Sequence, residues 1–254
     1  MIFDIVIPLG PKEINNINTQ ISYIKQNVTG YNKIYIISYD STIKIDDCII
    51  VDENLFFIFK EFISNYFKQY NGKNNRNGWY LQQLLKLYAG LYIPDILDNY
   101  LVIDADVFFL RKTSFFHNDK PLYSFGDEHH IPYFEHMKRL DDCFDKYESR
   151  SGICHHMMYN KNYINEIFSI VESKHNKPFW QSFIECVEEH KKHHILFYES
   201  GASEYELYFN YITKHHKEDI IIRELKWCNV SKNSLADTYI NSEYDYISIC
   251  HWLN

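Results

Sequence analysis

Residues 100–110 read Tyr100-Leu101-Val102-Ile103-Asp104-Ala105-Asp106-Val107-Phe108-Phe109-Leu110, an apolar, β-prone stretch that two carboxylates interrupt. Apolar residues on both sides of the aspartates predict a central strand that is covered on both faces. An ionised carboxylate is costly to bury without a partner, so we expect a cation beside Asp104 and Asp106. If the chain turns there, both side chains point toward one opening, and their oxygens suit Mg²⁺ or Mn²⁺. The alternative is a solvated turn, which the immediate return of hydrophobic residues disfavours.

The bulk composition is that of a globular protein with an acidic surface. The 254 residues fit one large domain or two tightly joined halves, and 46% of them are hydrophobic. The 26 basic and 34 acidic residues give a net charge of −8, which argues against a nucleic-acid binder and against a protein attracted to anionic membranes. The abundance of Asn, Ile, Lys and Tyr is typical of AT-rich genomes, including those of some large DNA viruses.

Neither a targeting signal nor a Cys-x-x-Cys pair is expected from the sequence. Residues 1–8 include an acidic residue within the apolar run and read as a first strand rather than a signal peptide. Apolar stretches fall short of the roughly 20 residues that a membrane span requires. The six cysteines form no Cys-x-x-Cys pair, so we expect reduced thiols and a cytoplasmic location.

Strand-like and helical segments alternate in the first half of the chain. Residues 2–9, 33–38 and 48–51 read as strands, and residues 14–26 form a polar segment between the first two. This alternation predicts βαβ units, hence an α/β fold with a mostly parallel sheet. Ligands of such sheets bind at the carboxyl ends of the strands. Pro8, Leu9 and Asp40 therefore are candidate binding residues, with plain loops as the alternative.

A helix is predicted from Trp79 onward, because apolar residues recur at one-face spacing through residues 80–88. Its N-terminus carries partial positive charge and unpaired amides, which suit phosphate or carboxylate oxygens. Arg76 precedes this helix and could hold a diphosphate or nucleotide; the alternative is a surface arginine. Gln82 and Gln83 lie beside aromatic residues, and we expect one of them to face inward.

The second half contains three further segments with polar groups of interest. Residues 151–159 read as a half-buried strand that includes His155 and His156. Ser203 and Glu206 have the spacing of a capping box, whereas Glu204 lies in the same first turn outside the cap. Glu204 could be a surface group that complements the helix dipole. His251 ends the last predicted strand, where a core histidine is the alternative reading.

Taken together, these segments resemble a glycosyltransferase of the GT-A fold. Residues 76–87, 101–110, 151–158 and 203–208 look like the motifs of a largely uncharacterised group of predicted glycosyltransferases. The resemblance covers nearly the whole chain. It implies a Rossmann-like, mixed and mostly parallel sheet with helices on both faces, in a single domain. Residues 1–110 would form the nucleotide-binding half and residues 111–254 the acceptor-side half.

The resemblance also implies a role for each matching residue. Asp106 would be the principal ligand of Mn²⁺ or Mg²⁺, Asp104 would reach the ribose or a metal-bound water, and His251 would complete the metal shell. Glu204 would be the catalytic base, with Glu206 as second choice. The residues expected around the nucleotide-sugar donor or in the sugar or acceptor pocket are Pro8, Leu9, Asp40, Arg76, Trp79, Gln83, His155 and His156.

The function implied is transfer of a sugar from a nucleotide diphosphate-sugar, most simply UDP-linked, to a hydroxyl of a carbohydrate or glycoprotein. An inverting mechanism is favoured because Glu204 matches the position of a base, and a retaining mechanism stays open. Two other functions fit the same residues. One is a metal-dependent nucleotidyltransferase or phosphohydrolase, and the other is a non-catalytic sugar-binding or protein-binding module.

Overall fold

The computed structural model describes residues 1–68, 76–187, 200–250 and 253. Within them the strands are β1 (Phe3–Leu9), β2 (Val28–Thr29), β3 (Tyr31–Ser38), β4 (Ile49–Asp52), β5 (Asn99–Ile103), β6 (Val107–Phe109), β7 (Thr113–Ser114), β8 (Phe116–His117), β9 (Lys120–Tyr123), β10 (His156–Asn160), β11 (Ile221–Ile222), β12 (Trp227–Ser231) and β13 (Tyr246–Cys250). The helices are α1 (Ile17–Asn27), α2 (Phe57–Lys68), α3 (Asn77–Tyr92), α4 (Ile131–Leu140), α5 (Lys161–His175), α6 (Phe179–Glu185) and α7 (Glu204–His215). Short 3-10 turns occur at Glu53–Phe56, Lys217–Asp219 and Ala236–Tyr239.

The central sheet has five strands in the order β10-β5-β1-β3-β4. β1 pairs in parallel with β3 and β5, β3 pairs in parallel with β4, and only β10 runs antiparallel to its neighbour β5 within this sheet. Every residue of β1 is buried, so both faces of this strand are covered. The predicted α/β class with a mostly parallel, mixed sheet is therefore confirmed.

The stretch at residues 100–110 forms two strands, whereas the sequence predicted one. β5 ends at Ile103, the chain turns with Val107 N donating to the Asp104 carbonyl across 3.1 Å, and β6 then enters a second sheet of order β12-β13-β6. The side chain of Gln20 on α1 holds this turn by donating to the carbonyls of Asp104 and Val107. Both aspartates consequently lie at the point where the chain passes from one sheet to the other.

Two helices, α3 and α7, pack against each other in the interior with few exposed positions. In α3 nearly every residue from Tyr80 to Gly90 is buried, and in α7 every residue from Glu204 to Thr213 is buried. A charged side chain on either helix therefore requires a partner within the protein. None of the described helices is long and apolar enough to cross a bilayer.

Candidate functional site

A cleft of about 790 Å³ opens at the carboxyl edge of the central sheet. Its walls come from the end of β1, the start of α3 and the turn after β5, as expected for an α/β sheet. The lining mixes acidic, basic and aromatic groups. The residues that line it include Pro8, Leu9, Lys12, Glu13, Tyr39, Lys60, Arg76, Trp79, Asp104 and Asp106.

Asp104 has partners on both of its carboxylate oxygens. Oδ1 lies 2.6 Å from Nζ of Lys86 and accepts a hydrogen bond from the Tyr205 hydroxyl at 3.0 Å. Oδ2 faces Nδ1 of His155 at 3.5 Å. Burial raises the pKa of Asp104, but the charges of Lys86 and His155 outweigh it, so the pKa lies well below its usual value. Asp104 is therefore a fixed carboxylate with one oxygen directed toward His155.

Asp106 has the opposite electrostatic situation. Its Oδ1 atom is buried and accepts no hydrogen bond from any residue that the structure describes. Burial first, and then the charge of Asp104, raises the pKa of Asp106 to about 6, against a weaker effect of a Ser248 hydrogen bond. A buried carboxylate oxygen without a donor is one that a cation would stabilise.

His155 lies beside the two aspartates with a strained backbone. Its φ angle is 63°, in the left-handed region, and its carbonyl accepts a hydrogen bond from the Asp104 amide at 3.0 Å. Burial lowers the pKa of His155, but the hydrogen bond with Asp104 and the charge of Asp104 together raise it by more, so the net shift of the pKa is upward. Such backbone strain persists only where the surroundings fix it, and it is common at functional sites.

Asp104, Asp106 and His155 together offer ligand atoms that all lie within 4.8 Å of one another. Two carboxylates and one imidazole form a donor set that fits a small divalent cation. The orphaned oxygen of Asp106 supports this fit independently of the distances. The third ligand predicted from the sequence, His251, lies outside the described residues. Among the residues that the structure describes, His155 is the third candidate ligand.

Lys86 joins the aspartate turn to the start of α7. Its Nζ lies 2.8 Å from Oε1 of Glu204 and 2.6 Å from Asp104, and it sits 4.2 Å from the centre of the Tyr205 ring. The Glu204 side chain is buried and does not line the cleft. Burial raises the pKa of Glu204 and the Lys86 ammonium opposes this only in part, so the net shift is upward. Gln83 accepts a hydrogen bond from the Glu204 amide at 3.0 Å.

Glu206 is occupied by a different set of partners. Its carboxylate is fully buried, pairs with Lys146 at 2.8 Å and accepts hydrogen bonds from Ser151, the Gly152 amide and Asn210. Ser203 accepts a hydrogen bond from the Glu206 amide, which confirms the predicted N-cap. The Glu206 side chain does not return to Ser203, so the reciprocal half of the capping box is wrong: the Ser151 segment binds this carboxylate instead.

The segment that Glu206 binds packs tightly on α7. At Gly152 an added Cβ would lie 2.5 Å from both the Phe209 side chain and the Tyr205 carbonyl, so only glycine fits. Three residues further on, the same segment presents His155 to Asp104. Glu206 therefore holds the segment before β10, which carries the candidate cation ligand His155.

Several predicted residues do not line the cleft. Asp40 accepts hydrogen bonds from the amide and hydroxyl of Thr42, which makes it a local turn residue next to the lining residue Tyr39. Gln83 faces inward and Gln82 faces the cleft. The His156 ring lies in the core, 5.4 Å from Phe109, because neighbouring side chains point to opposite sides at the start of β10. Burial lowers the pKa of His156 to about 3.

Lys86 and Tyr205 are the site residues to which the sequence reasoning assigned no role. A signal for Lys86 was present, since it follows Gln83 by three positions on a helix whose other inward positions are apolar. Two long polar side chains on the buried face of one helix indicate a common polar partner. The hydroxyl of Tyr205 carries no comparable signal, because a tyrosine on a core helix is ordinarily a packing residue.

The chain belongs to a family of unknown function, DUF6492, whose model matches residues 28–235. No curated protein matches the sequence. Among solved structures, the chain is similar to mouse xyloside xylosyltransferase 1 in its apo form, with 10% identity, coverage of 98% of this chain and 97% of that chain, and a TM-score of 0.47.

Two further structures resemble this chain. The galactosyltransferase LgtC, in complex with donor and acceptor sugar analogs, has 11% identity, coverage of 98% and 87%, and a TM-score of 0.42. A glycosyltransferase involved in the glycosylation of the major capsid of PBCV-1 has 11% identity, coverage of 98% and 93%, and a TM-score of 0.39. All three structures are glycosyltransferases, the class that the sequence resemblance names.

Proposed function

We propose that this protein is a metal-dependent glycosyltransferase that moves a sugar from a UDP-linked donor to a hydroxyl acceptor. The observation that carries the proposal is the cluster of Asp104, Asp106 and His155 in and beside the wall of the cleft, with a buried Asp106 oxygen that has no donor. A divalent cation would bind these three side chains, and a diphosphate would bind the cation.

The cleft lining supports a nucleotide diphosphate-sugar as donor. Lys12, Lys60 and Arg76 bring positive charge to the same cleft as the aspartates, and such groups bind diphosphates. Lys60 already pairs with Glu53 at 2.9 Å. Tyr39 and Trp79 add flat aromatic surfaces on which a base or a sugar ring can stack. Residues 1–110 would then bind the donor, and residues 111–254 would supply His155 and Glu204 and bind the carbohydrate or glycoprotein acceptor.

The candidate cation ligands in this proposal are Asp106, Oδ2 of Asp104 and His155. An imidazole nitrogen beside two carboxylates suits Mn²⁺ better than Mg²⁺, which prefers oxygen ligands. Such a cation, when bound, would offset the negative charge that develops on the leaving diphosphate. His251 stays a prediction as a further ligand.

Glu204 is the proposed general base. The acceptor oxygen would bond to the anomeric carbon, the bond from that carbon to the diphosphate oxygen would break, and the acceptor proton would pass to Glu204 with inversion. An upward-shifted pKa favours this role, and Lys86 engages Oε1 of the carboxylate. The burial of this side chain outside the lining of the donor cleft counts against the role. Glu206 is the weaker candidate because Lys146, Ser151, Gly152 and Asn210 occupy its oxygens.

A thermal-shift screen against nucleotide-sugars, with and without Mn²⁺, tests the proposal. UDP-linked sugars are expected to raise the melting temperature only when Mn²⁺ is present, because bound ligands stabilise the folded state by mass action. A melting temperature that responds to neither Mn²⁺ nor UDP would support a non-catalytic module. Consumption of nucleoside triphosphates or phosphomonoesters without sugar transfer would support a nucleotidyltransferase or phosphohydrolase.

A further inference from the structure

The positive charge that balances the aspartate turn comes from the protein itself. Lys86 is 4% exposed and bridges Asp104 and Glu204 at 2.6 and 2.8 Å. A buried ion pair of this kind forms only because attraction to the two carboxylates offsets the free energy of desolvating the ammonium. Lys86 therefore supplies a resident counter-charge to Asp104.

The same bridge restricts how a divalent cation can approach. Lys86 and Tyr205 both occupy Oδ1 of Asp104, which leaves Oδ2 on the side of His155. A cation bound at Oδ2 would share the Asp104 carboxylate with the ammonium of Lys86. Two positive charges on one carboxylate repel each other, and buried surroundings screen the repulsion weakly.

We propose that Lys86 is a positioning residue that serves as a resident counter-ion and weakens the binding of a free divalent cation. A nucleotide diphosphate brings negative charge that offsets this repulsion, so cation and nucleotide bind with positive coupling. This inference rests on the proposed function for the identity of the nucleotide. It goes beyond that function because it attributes the difference between the cation affinity without nucleotide and the cation affinity with nucleotide to one buried lysine.

Measurement of Mn²⁺ affinity by electron paramagnetic resonance, with and without UDP, tests the inference on the full chain. Lys86→Met keeps an unbranched side chain that is one atom shorter and removes its charge. We expect this variant to bind Mn²⁺ alone about tenfold more tightly than the wild type, and to gain less from added UDP. Lys86→Arg keeps the charge and is expected to stay within about threefold of the wild type. A purely structural lysine would give the opposite sign, because a loosened site binds the cation more weakly.

A second variant guards against loss of folding. Lys86→Met leaves Asp104 and Glu204 without their shared cation, whereas Lys86→Met combined with Glu204→Gln removes one carboxylate as well. The double variant is expected to show the same tightening in direction, with circular dichroism confirming its fold. Equal or weaker Mn²⁺ binding in the folded variants would overturn the role of Lys86. Failure of the wild type to bind Mn²⁺ even with UDP would instead count against the proposed function.

Discussion

The hydroxyl of Tyr205 donates to Oδ1 of Asp104 across 3.0 Å and joins the first turn of α7 to the turn after β5. Its two neighbours in sequence reach other parts of the site. Glu204 binds Lys86 on α3, and Glu206 binds the Ser151 segment that leads to β10. Three consecutive side chains of one helix turn therefore contact three separate segments of the chain, and each contact can be tested by substitution.

Asp106→Asn is expected to weaken Mn²⁺-dependent UDP binding by at least about tenfold, since an amide is a poorer ligand for a hard cation. The stability of the protein without metal should not decrease, because burial and the charge of Asp104 already raise the pKa of Asp106. Calorimetric titration of UDP in the presence of Mn²⁺ measures the first effect. Asp142→Asn, at a fully exposed aspartate, is the matched control. Unchanged UDP affinity in Asp106→Asn would exclude this residue as a ligand.

Glu204→Gln is expected to lower the rate of sugar transfer by about 100-fold or more, which is the usual contribution of a general base. The affinity for the donor should change by less than about threefold, because Glu204 does not line the donor cleft. Transfer rate and donor affinity are measured separately, by nucleotide release and by calorimetry. An equal loss in both quantities would assign Glu204 to binding rather than to proton transfer.

Glu206→Gln should destabilise the protein by about 3–5 kcal/mol, because Lys146 would lose its buried charge partner. Urea denaturation measures the free energy of unfolding. The control is Glu243→Gln, which breaks the exposed pair with Lys226 and should leave stability indistinguishable from the wild type. If both variants are equally stable, the buried hydrogen bonds and ion pair of Glu206 do not contribute to the free energy of unfolding.

The buried imidazole of His136 predicts a loss of stability in acid. Burial lowers its pKa to about 3, although Nε2 bonds to the Phe183 carbonyl at 2.8 Å. The unfolded chain takes up a proton as the pH falls through about 6.5, whereas the folded state does not until about pH 3. This one residue should therefore remove about 2 kcal/mol between pH 8 and pH 5.

Urea denaturation of His136→Gln at the two pH values measures this contribution. The difference in unfolding free energy between pH 8 and pH 5 should shrink by about 2 kcal/mol relative to the wild type. His117→Gln, at an exposed histidine of β8, is the matched control. The prediction fails if the His136 variant keeps the full pH dependence of the wild type.

The parallel pairing of the first strands and the edge of the sheet at which the aspartates lie were predictable, because both depend on local sequence patterns. Alternating apolar and polar segments gave β1, β3 and β4 in parallel, and the interrupted run at residues 100–110 located the aspartates at the carboxyl edge. The break into β5 and β6 was not predictable. It depends on where β6 finds its partner β13, which lies more than 130 residues further along the chain.

The sequence predicted Mg²⁺ or Mn²⁺ as the partner of the two aspartates. It gave no indication that Lys86 of α3 lies beside Asp104, because that contact joins residues distant in the chain. His155 and His156 were both predicted in the sugar or acceptor pocket, and the structure places the His155 ring beside Asp104 and the His156 ring in the core. His155, just before β10, has a left-handed backbone angle. Such a backbone angle has no signature in the residue type of a histidine.

The contacts of α7 have a consequence for dissecting this protein into parts. A fragment that stops after residue 187 would still contain Asp104, Asp106 and His155, yet it would lack the carboxylate that Lys86 shares and the hydroxyl that orients Asp104. Possession of these three candidate ligands would therefore not be enough for such a fragment to bind a cation as the full chain is proposed to do. The competence of the site is thus a property of chain segments distant in sequence, and shuffling of halves between relatives must carry the Glu204–Glu206 turn together with its matching α3.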